Sequence, residues 1–290
     1  MTYIPCLSLL SQSANQPISV LGGGWLGLPL AQYLQAQGYE MGVSRTTAAG
    51  VLKTIQLGLN TFMIELAAAT PLSDNAFWHA PTLLITVPPQ RGKSEGEQLA
   101  QFERLIERAR ASGVRQVLYI SSTSVYADDE QLATEHVAPA PTKPGGILVY
   151  QLERLLQQEA AFRTTVLRFG GLIGYDRLPD SAVAIQRRSR AIDTPMNVIH
   201  RDDCVGIIHE IVRQQAWGEV FNACADAHPT RRDYYAAAAR AQGFTLPDLG
   251  PVQPQPYKIV SSEKLKARLN YKFLFPNPLA IFEQPARDVL

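Results

Sequence analysis

Three cysteines in 290 residues are too few and too scattered to build a covalent framework. Cys6, Cys204 and Cys224 show no C-x-x-C spacing, and an odd count leaves one thiol over in any pairing. They read as reduced thiols of a cytoplasmic protein, not as bridges or ligands. An excess of charge is also missing. Lys and Arg number 27 against 26 Asp and Glu, a formal net charge of +1 with the signs well mixed. That balance argues against a nucleic-acid surface or a polybasic membrane patch. No apolar run approaches the roughly 20 residues of a membrane-spanning helix. Residues 1–16 include Ile4-Pro5-Cys6-Leu7-Ser8-Leu9-Leu10 but have neither a basic start nor a small-residue cleavage site, so they read as an N-terminal extension. No cluster of His, Cys and carboxylates has metal-ligand spacing, so no metal is expected. There is also no G-x-S-x-G nucleophile motif, no internal repeat and no low-complexity segment.

What is present begins with Ile18-Ser19-Val20-Leu21, a buried-strand pattern, followed by Gly22-Gly23-Gly24-Trp25-Leu26-Gly27 and an amphipathic helix through Leu30-Ala31-Gln32-Tyr33-Leu34. Glycines at 22, 24 and 27 fit G-x-G-x-x-G in its required context. The first permits a tight turn, the second lets a pyrophosphate approach the backbone, and the third lets the helix pack closely. Trp25 and Leu26 open the helix, whose free N–H groups suit phosphates. This pattern predicts dinucleotide binding.

The second strand, expected at Tyr39–Val43, ends near Ser44-Arg45-Thr46, about where an acidic residue grips the ribose 2′-hydroxyl of NAD. No carboxylate stands at 43–47. A small hydroxyl followed by arginine suits a 2′-phosphate instead, so NADP(H) is favoured over NAD(H); a solvated loop arginine is the alternative.

Further strands are expected at Thr61–Leu66, Thr82–Val87, Gln116–Ile120 and Thr165–Phe169. Helices are expected over Thr47–Leu57, over Leu152–Phe162, and from the capping box Ser94-Glu95-Gly96-Glu97 to Ser112. Strand and helix alternate as in a doubly wound parallel sheet. Beyond about Gly170 the pattern becomes irregular. The organisation expected is an extension (1–16), a dinucleotide-binding domain (17–171) and a smaller substrate-side lobe (172–290), with 197–224 returning to the main sheet.

Six segments in order carry a family resemblance: Gly22 to Gly27; Glu65-Leu66; Ser121-Ser122-Thr123-Ser124-Val125-Tyr126; Arg168-Phe169-Gly170-Gly171-Leu172-Ile173-Gly174; Val198-Ile199-His200-Arg201-Asp202-Asp203; and Val220-Phe221-Asn222. Together, over residues 17 to 275, the chain resembles the extended short-chain dehydrogenases/reductases of the NAD(P)-dependent epimerase/dehydratase group, and more narrowly its atypical members. The resemblance implies an α/β fold, a doubly wound and mostly parallel Rossmann sheet with a smaller C-terminal substrate lobe. It places Glu65 near adenine and puts Val87, Pro88 and Ser121 among the cofactor contacts. It also implies a homodimer as one assembly, because extended members often pair through helices flanking the sheet.

Family chemistry uses a tyrosine for proton transfer, a lysine four residues later that lowers the phenol pKa, and a strand-end serine or threonine. Residues i and i+4 share a helix face, which is what that pair requires. Ser122 occupies the serine place; its alternative reading is a hydroxyl that satisfies backbone at a strand end. Aligning Glu153 with the family's helix puts Gly145 at the tyrosine place and Val149 at the lysine place, and neither can move a proton. Tyr150 with Arg154 forms a possible substitute pair, although Tyr150 lies five residues past Gly145, roughly 140° around a helix. Tyr126 either points into the site or packs its ring and bonds locally.

Weaker candidates surround these. Arg91 and Lys93 follow the fourth strand, and Arg187, Arg188 and Arg190 form a basic cluster; either group would suit an anion or serve as a solvated surface. Asp202 and Asp203 beside His200 fit a helix cap better than a catalyst. Thr230-Arg231-Arg232-Asp233 reads as a helix start. Two functional classes remain. One is an NADP(H)-dependent oxidoreductase or epimerase acting on a small polar or sugar-nucleotide-like substrate. The other is a sensor or scaffold that keeps the dinucleotide cleft without the chemistry.

Overall fold

A computed structural model describes residues 16–66, 72, 74–90, 92–186 and 192–283. The extension with Cys6, and the candidates Arg91, Arg187, Arg188 and Arg190, lie outside the described residues. In chain order the strands are β1 (Ile18–Leu21), β2 (Met41–Arg45), β3 (Asn60–Met63), β4 (Thr82–Ile85), β5 (Gln116–Ser122), β6 (Gln131–Ala133), β7 (Arg163–Phe169), β8 (Gly171–Ile173), β9 (Val198–His200), β10 (Val220–Ala223) and β11 (Lys258–Val260). The helices are α1 (Gly27–Ala36), α2 (Ala48–Gln56), α3 (Glu95–Ala111), α4 (Pro144–Gln158), α5 (Ala182–Gln186), α6 (Arg201–Arg213), α7 (Arg231–Gln242) and α8 (Glu263–Leu269).

Seven strands form one sheet in the order β10-β7-β5-β4-β1-β2-β3, and β11-β6 and β8-β9 form two small parallel sheets. The β1–β2, β2–β3, β1–β4, β4–β5 and β7–β10 pairings are all parallel. The order turns back on itself at β1 and β4. In open α/β sheets such a switch point is where ligands bind, outside the carboxyl ends of the strands. Every residue of β1 and β4 is buried, as the unbroken apolar runs require of strands covered on both faces.

Local signals account for the helix ends. Ser94 and Glu97 form the reciprocal capping box that opens α3, and Thr230 and Asp233 do the same for α7, which ends on left-handed Gly243. The helix expected to continue through 152–162 begins at Pro144 and ends at Gln158, short of its expected end. A proline at the first helical position has its φ already set and lacks only an N–H that would have had no partner.

The chain divides into two compact units. One comprises Met1–Tyr119, Leu155–Thr165 and Val212–Trp217, and its core gathers Val20, Leu30, Leu34, Val43, Phe77, Trp78 and Leu84. The other comprises Ile120–Arg154, Val166–Ile211 and Gly218–Leu290. One of its apolar clusters joins Val125, Tyr126, Ala133, Val149, Cys224 and Val260; another joins Ile173, Ile185, Met196, Val198, Tyr234 and Tyr235.

Candidate functional site

The glycine turn of the first unit assigns a distinct constraint to each glycine. Gly22 has φ +106°, and a Cβ there would stand 2.8 Å from Val87 Cγ1. At Gly27 a Cβ would overlap the carbonyl oxygen of Gly22 and approach Thr86 Oγ1 to 2.6 Å, so the helix start lies directly on the turn. Gly24 is the opposite case: a Cβ there meets nothing within 4 Å, and the backbone is exposed. Thr86, unremarked in the sequence, secures the turn, with its hydroxyl 2.7 Å from the Gly22 carbonyl oxygen and 3.1 Å from that of Leu21. Its only signal was a polar residue interrupting an apolar run. Val87 is half-buried against Gly22, Pro88 is exposed, Trp25 is half-buried and Leu26 is buried at the cap of α1.

Ser44 and Arg45 are the last two residues of β2, so the strand runs two residues past its expected end. Ser44 is buried, and its hydroxyl accepts the Gly22 N–H at 2.8 Å. Its carbonyl accepts the Gly23 N–H at 2.9 Å. Arg45 is half-buried, and its side chain runs past Gly23 to the first turn of α2. There Nε would lie 2.9 Å from a Cβ on Gly50. Thr47 caps that helix by accepting the Gly50 N–H at 3.1 Å. Thr46 and Glu65 are exposed, Glu65 just beyond the end of β3.

In the second unit the strand-end hydroxyls take separate partners. Ser122 accepts the Ser124 N–H at 3.1 Å and so caps the single turn Thr123–Val125. Ser121 is buried and donates to Glu153 Oε1. Glu153, fully buried on α4, meets Arg168 of β7 through Nη2 at 2.6 Å and Nε at 2.9 Å. Arg168 Nη1 in turn donates to the Tyr126 hydroxyl at 2.7 Å, which donates to Asn222 Oδ1 at 2.9 Å. Burial pulls the Arg168 pKa down, but the Glu153 carboxylate outweighs it and holds the guanidinium more firmly charged than usual. Burial pushes the Tyr126 phenol pKa up despite the Arg168 charge. Tyr126, 2% exposed, is thus engaged on both sides of its hydroxyl. The sequence suggested neither Arg168 nor Asn222 as its partner, nor Glu153 behind Arg168, because the three come from separate elements.

Gly145 and Val149, expected at the tyrosine and lysine places, both lie on α4. Gly145 is exposed, and a Cβ on it meets nothing within 4 Å; Gly146 is buried, and its Cβ would overlap the Ser124 carbonyl oxygen. Val149 is buried in the cluster with Val125, Tyr126 and Val260, against which half-buried Tyr150 also packs. Arg154 is exposed. The nearby ammonium groups are on Lys143 and Lys258, both bound to Asp128, at 2.8 Å and 2.5 Å. Burial alone would raise the Asp128 pKa, but the two lysines bring it below the usual value.

At the start of α6, His200 is buried against the Phe275 ring, with centroids 3.8 Å apart. Burial, with the Arg201 charge, pushes its pKa down to about 4 and keeps it neutral. Asp203 accepts the Leu274 and Phe275 N–H groups at 2.6 and 3.0 Å and the Tyr271 hydroxyl at 3.0 Å. Burial raises its pKa to about 6 in spite of those bonds. Lys93 lies in the turn just before α3. Among the described residues no group of three His, Cys, Asp or Glu side chains is arranged to hold a metal ion, and no helix is long and apolar enough to cross a membrane.

Comparison with known proteins agrees with this architecture. Residues 90–224 match the model of the NAD dependent epimerase/dehydratase family. Protein YeeZ of Escherichia coli strain K12 is 28% identical over 269 residues, which covers 91% of this chain and 98% of YeeZ. UDP-glucose 4-epimerase of Thermus thermophilus, solved in complex with NAD, superposes with a TM-score of 0.70 at 16% identity, covering 93% of this chain and all of that one. A short-chain dehydrogenase/reductase superfamily protein of Agrobacterium tumefaciens with bound NAD gives 0.71 at 19% identity, covering 92% of this chain and 95% of that one. The parallel sheet and the glycine turn agree with that likeness to the NAD dependent epimerase/dehydratase family over residues 90–224.

Proposed function

We propose that the protein is an NADP(H)-binding oxidoreductase of the epimerase/dehydratase type, acting on a small polar or sugar-nucleotide-like substrate without the family's tyrosine–lysine relay. The glycine turn supplies the cradle, with Gly24 open for the pyrophosphate and the α1 N-terminus behind it. The choice of NADP(H) rests on one observation. Arg45 lies over the first turn of α2, the positive end of a helix dipole, where a cation is electrostatically misplaced on its own. A 2′-phosphate there would meet both the guanidinium and the helix N–H groups. Calorimetric titration of cofactor-stripped protein with NADPH, NADP⁺, NADH and NAD⁺ tests this. Tighter binding of the phosphorylated pair is expected, and Arg45→Ala should remove that preference while leaving NADH binding nearly unchanged. Equal affinity for both pairs, or no binding of any, rejects it.

The residues left to handle the substrate are Ser122, whose hydroxyl hydrogen is free to donate once its oxygen caps Ser124, and whatever enters the open space at Gly145. Val149 favours a second reading. An apolar side chain at the lysine place, packed with Val125, Tyr126 and Val260 and covered by Tyr150, fits a protein that binds NADP(H) as a sensor or scaffold. Transfer of deuteride from labelled NADPH to any member of a panel of aldehydes, ketones and keto-sugar nucleotides supports the enzyme. Tight NADPH binding without transfer across the panel supports the sensor.

A further inference from the structure

The large sheet ends differently at its two outer strands, β10 and β3. At β10, side chains from other segments occupy the backbone. Glu135 Oε1 accepts the Asn222 N–H at 2.7 Å, and Lys264 Nζ donates to the Val220 carbonyl at 2.7 Å. Just beyond the strand, Ser262 Oγ accepts the Cys224 N–H at 2.8 Å. At β3, which lies wholly within the first unit, no described side chain from another element bonds the backbone of Asn60–Met63. An edge left in this state is a template for another strand, and proteins usually protect it with charge, proline or a bulge. Residues 59–64, Leu-Asn-Thr-Phe-Met-Ile, contain neither charge nor proline, and the register with β2 runs unbroken from Asn60 to Met63.

The backbone phase of this edge follows from one bond. The Ile64 N–H donates to the Arg45 carbonyl at 2.9 Å. In a parallel ladder alternate residues turn both backbone groups to the same neighbour, so Phe62 and Ile64 face β2 while Thr61 and Met63 direct theirs outward. The side chains around the edge are apolar and uncovered. Met63 is 64% exposed, and Leu52 and Ile55, one turn apart on α2, are 63% and 51% exposed. Two opposite charges stand at the ends of this patch. Lys53 is exposed in the last turn of α2, next to the start of β3, and Glu65 is exposed just past its end.

We propose that this face binds a second copy of the chain, with β3 pairing antiparallel to β3 of the partner about a two-fold axis at Phe62. Thr61 then exchanges backbone bonds with the partner's Met63, and the symmetry makes the same exchange twice. Glu65 falls opposite the partner's Leu59, where the partner's α2 ends and its Lys53 stands, so opposite charges flank the apolar contact on both sides. Residues 48–65 come close to the roughly 20–30 residues a side of a standard interface. A second copy is the occupant that this arrangement fits, because one edge supplies both the uncharged strand and the complementary ends. The inference does not depend on dinucleotide binding.

Sedimentation equilibrium of the nucleotide-free full chain across micromolar concentrations tests this. Met63→Lys, Ile55→Glu, Lys53→Glu and the double variant Lys53→Glu with Glu65→Lys are run alongside the parent. All four positions are exposed, so the variants should melt at the parent temperature. The parent should reach twice the mass of Met63→Lys and Ile55→Glu, whose dissociation constants rise at least about tenfold. The double variant should recover the association that Lys53→Glu loses. Equal masses for the parent and the two patch variants, or a double variant no better than Lys53→Glu, overturn the proposal. A monomeric parent whose melting temperature falls on Met63→Lys would assign the face to residues 1–15 of the same chain and overturn it as well.

Discussion

Alanine at position 24 and alanine at position 27 should separate what the ligand requires of the glycine turn from what the fold requires. At Gly24 the new methyl meets nothing within 4 Å, and the backbone is outside the left-handed region. Such a change restricts the unfolded chain and stabilises by about 0.4–1 kcal/mol if anything. The methyl would nevertheless occupy the space through which a pyrophosphate reaches the backbone. Losing one charge-assisted hydrogen bond of roughly 1.5–3 kcal/mol weakens binding about ten- to a hundredfold. At Gly27 the methyl collides with the Gly22 carbonyl oxygen and stands 2.6 Å from Thr86 Oγ1, and neither the turn nor the strand end can move freely. Overpacking of this kind costs about 1–3 kcal/mol, and each kcal/mol lowers the melting temperature of a chain this long by roughly 2–4 °C. NADPH fluorescence titration paired with thermal melting reads both effects. Gly24→Ala should melt like the parent and bind poorly, whereas Gly27→Ala should melt earlier and bind poorly. A Gly24→Ala protein that binds NADPH like the parent refutes the assignment of the cradle, and a Gly27→Ala protein with unchanged stability refutes the packing argument.

Glu153→Ala leaves buried Arg168 without its carboxylate, so urea unfolding should show a loss of about 3–5 kcal/mol; Glu153→Leu with Arg168→Met should recover much of it. An equal loss in the double variant would mean that the wider network with Ser121 and Tyr126, not the charge pair, carries the stability. Asp203 and His200 give opposite pH slopes. With the Asp203 pKa raised from 3.8 to about 6, its contribution to stability is full below 3.8 and is lost as pH rises through 6. With the His200 pKa lowered from 6.5 to about 4, its contribution is full above 6.5 and is lost as pH falls through 4. The two largely cancel in the parent. Asp203→Asn should therefore uncover a decline on acidification of up to about 3 kcal/mol, measured by urea unfolding across that range; a flat profile in the variant sinks the argument.

Requirements confined to one short segment were legible in the sequence. The glycines of the turn, the Ser94–Glu97 and Thr230–Asp233 boxes and the apolar runs of β1 and β4 each follow from local geometry, and the structure has all of them. Partners drawn from distant elements left no such trace. Tyr126 and Asn222 are 96 residues apart, and no spacing rule connects Glu153 to Arg168. Ser44 shows the same limit from another side. Its position at the end of β2 suggested a hydroxyl facing a ligand, yet its oxygen holds the Gly22 N–H, a contact made only when β1 and β2 pair. The residue therefore supports the turn.

Glu153 also bears on Gly145 and Val149, the positions proposed for the tyrosine and lysine places. Anchored to Ser121 and Arg168, it fixes the rotation of α4 about its axis, and Val149 lies one turn earlier on nearly the same face. The valine is held in the apolar cluster as a consequence. Val149→Lys would then drive an ammonium against Val125, Tyr126 and Val260, with the buried Glu153 carboxylate already bound by Arg168. The expected outcome is a destabilisation of about 3 kcal/mol or more, reduced at high pH, where the lysine can enter the cluster neutral. Gly145→Tyr, by contrast, adds a side chain where a Cβ meets nothing within 4 Å and should leave stability nearly unchanged. Urea unfolding of the two variants at neutral and alkaline pH decides the matter. If Val149→Lys is as stable as the parent at neutral pH, position 149 faces solvent, and the absence of the family's relay would be a matter of side-chain identity alone. If it is destabilised as argued, the packing around α4 excludes the relay, and restoring the two letters would not restore the chemistry.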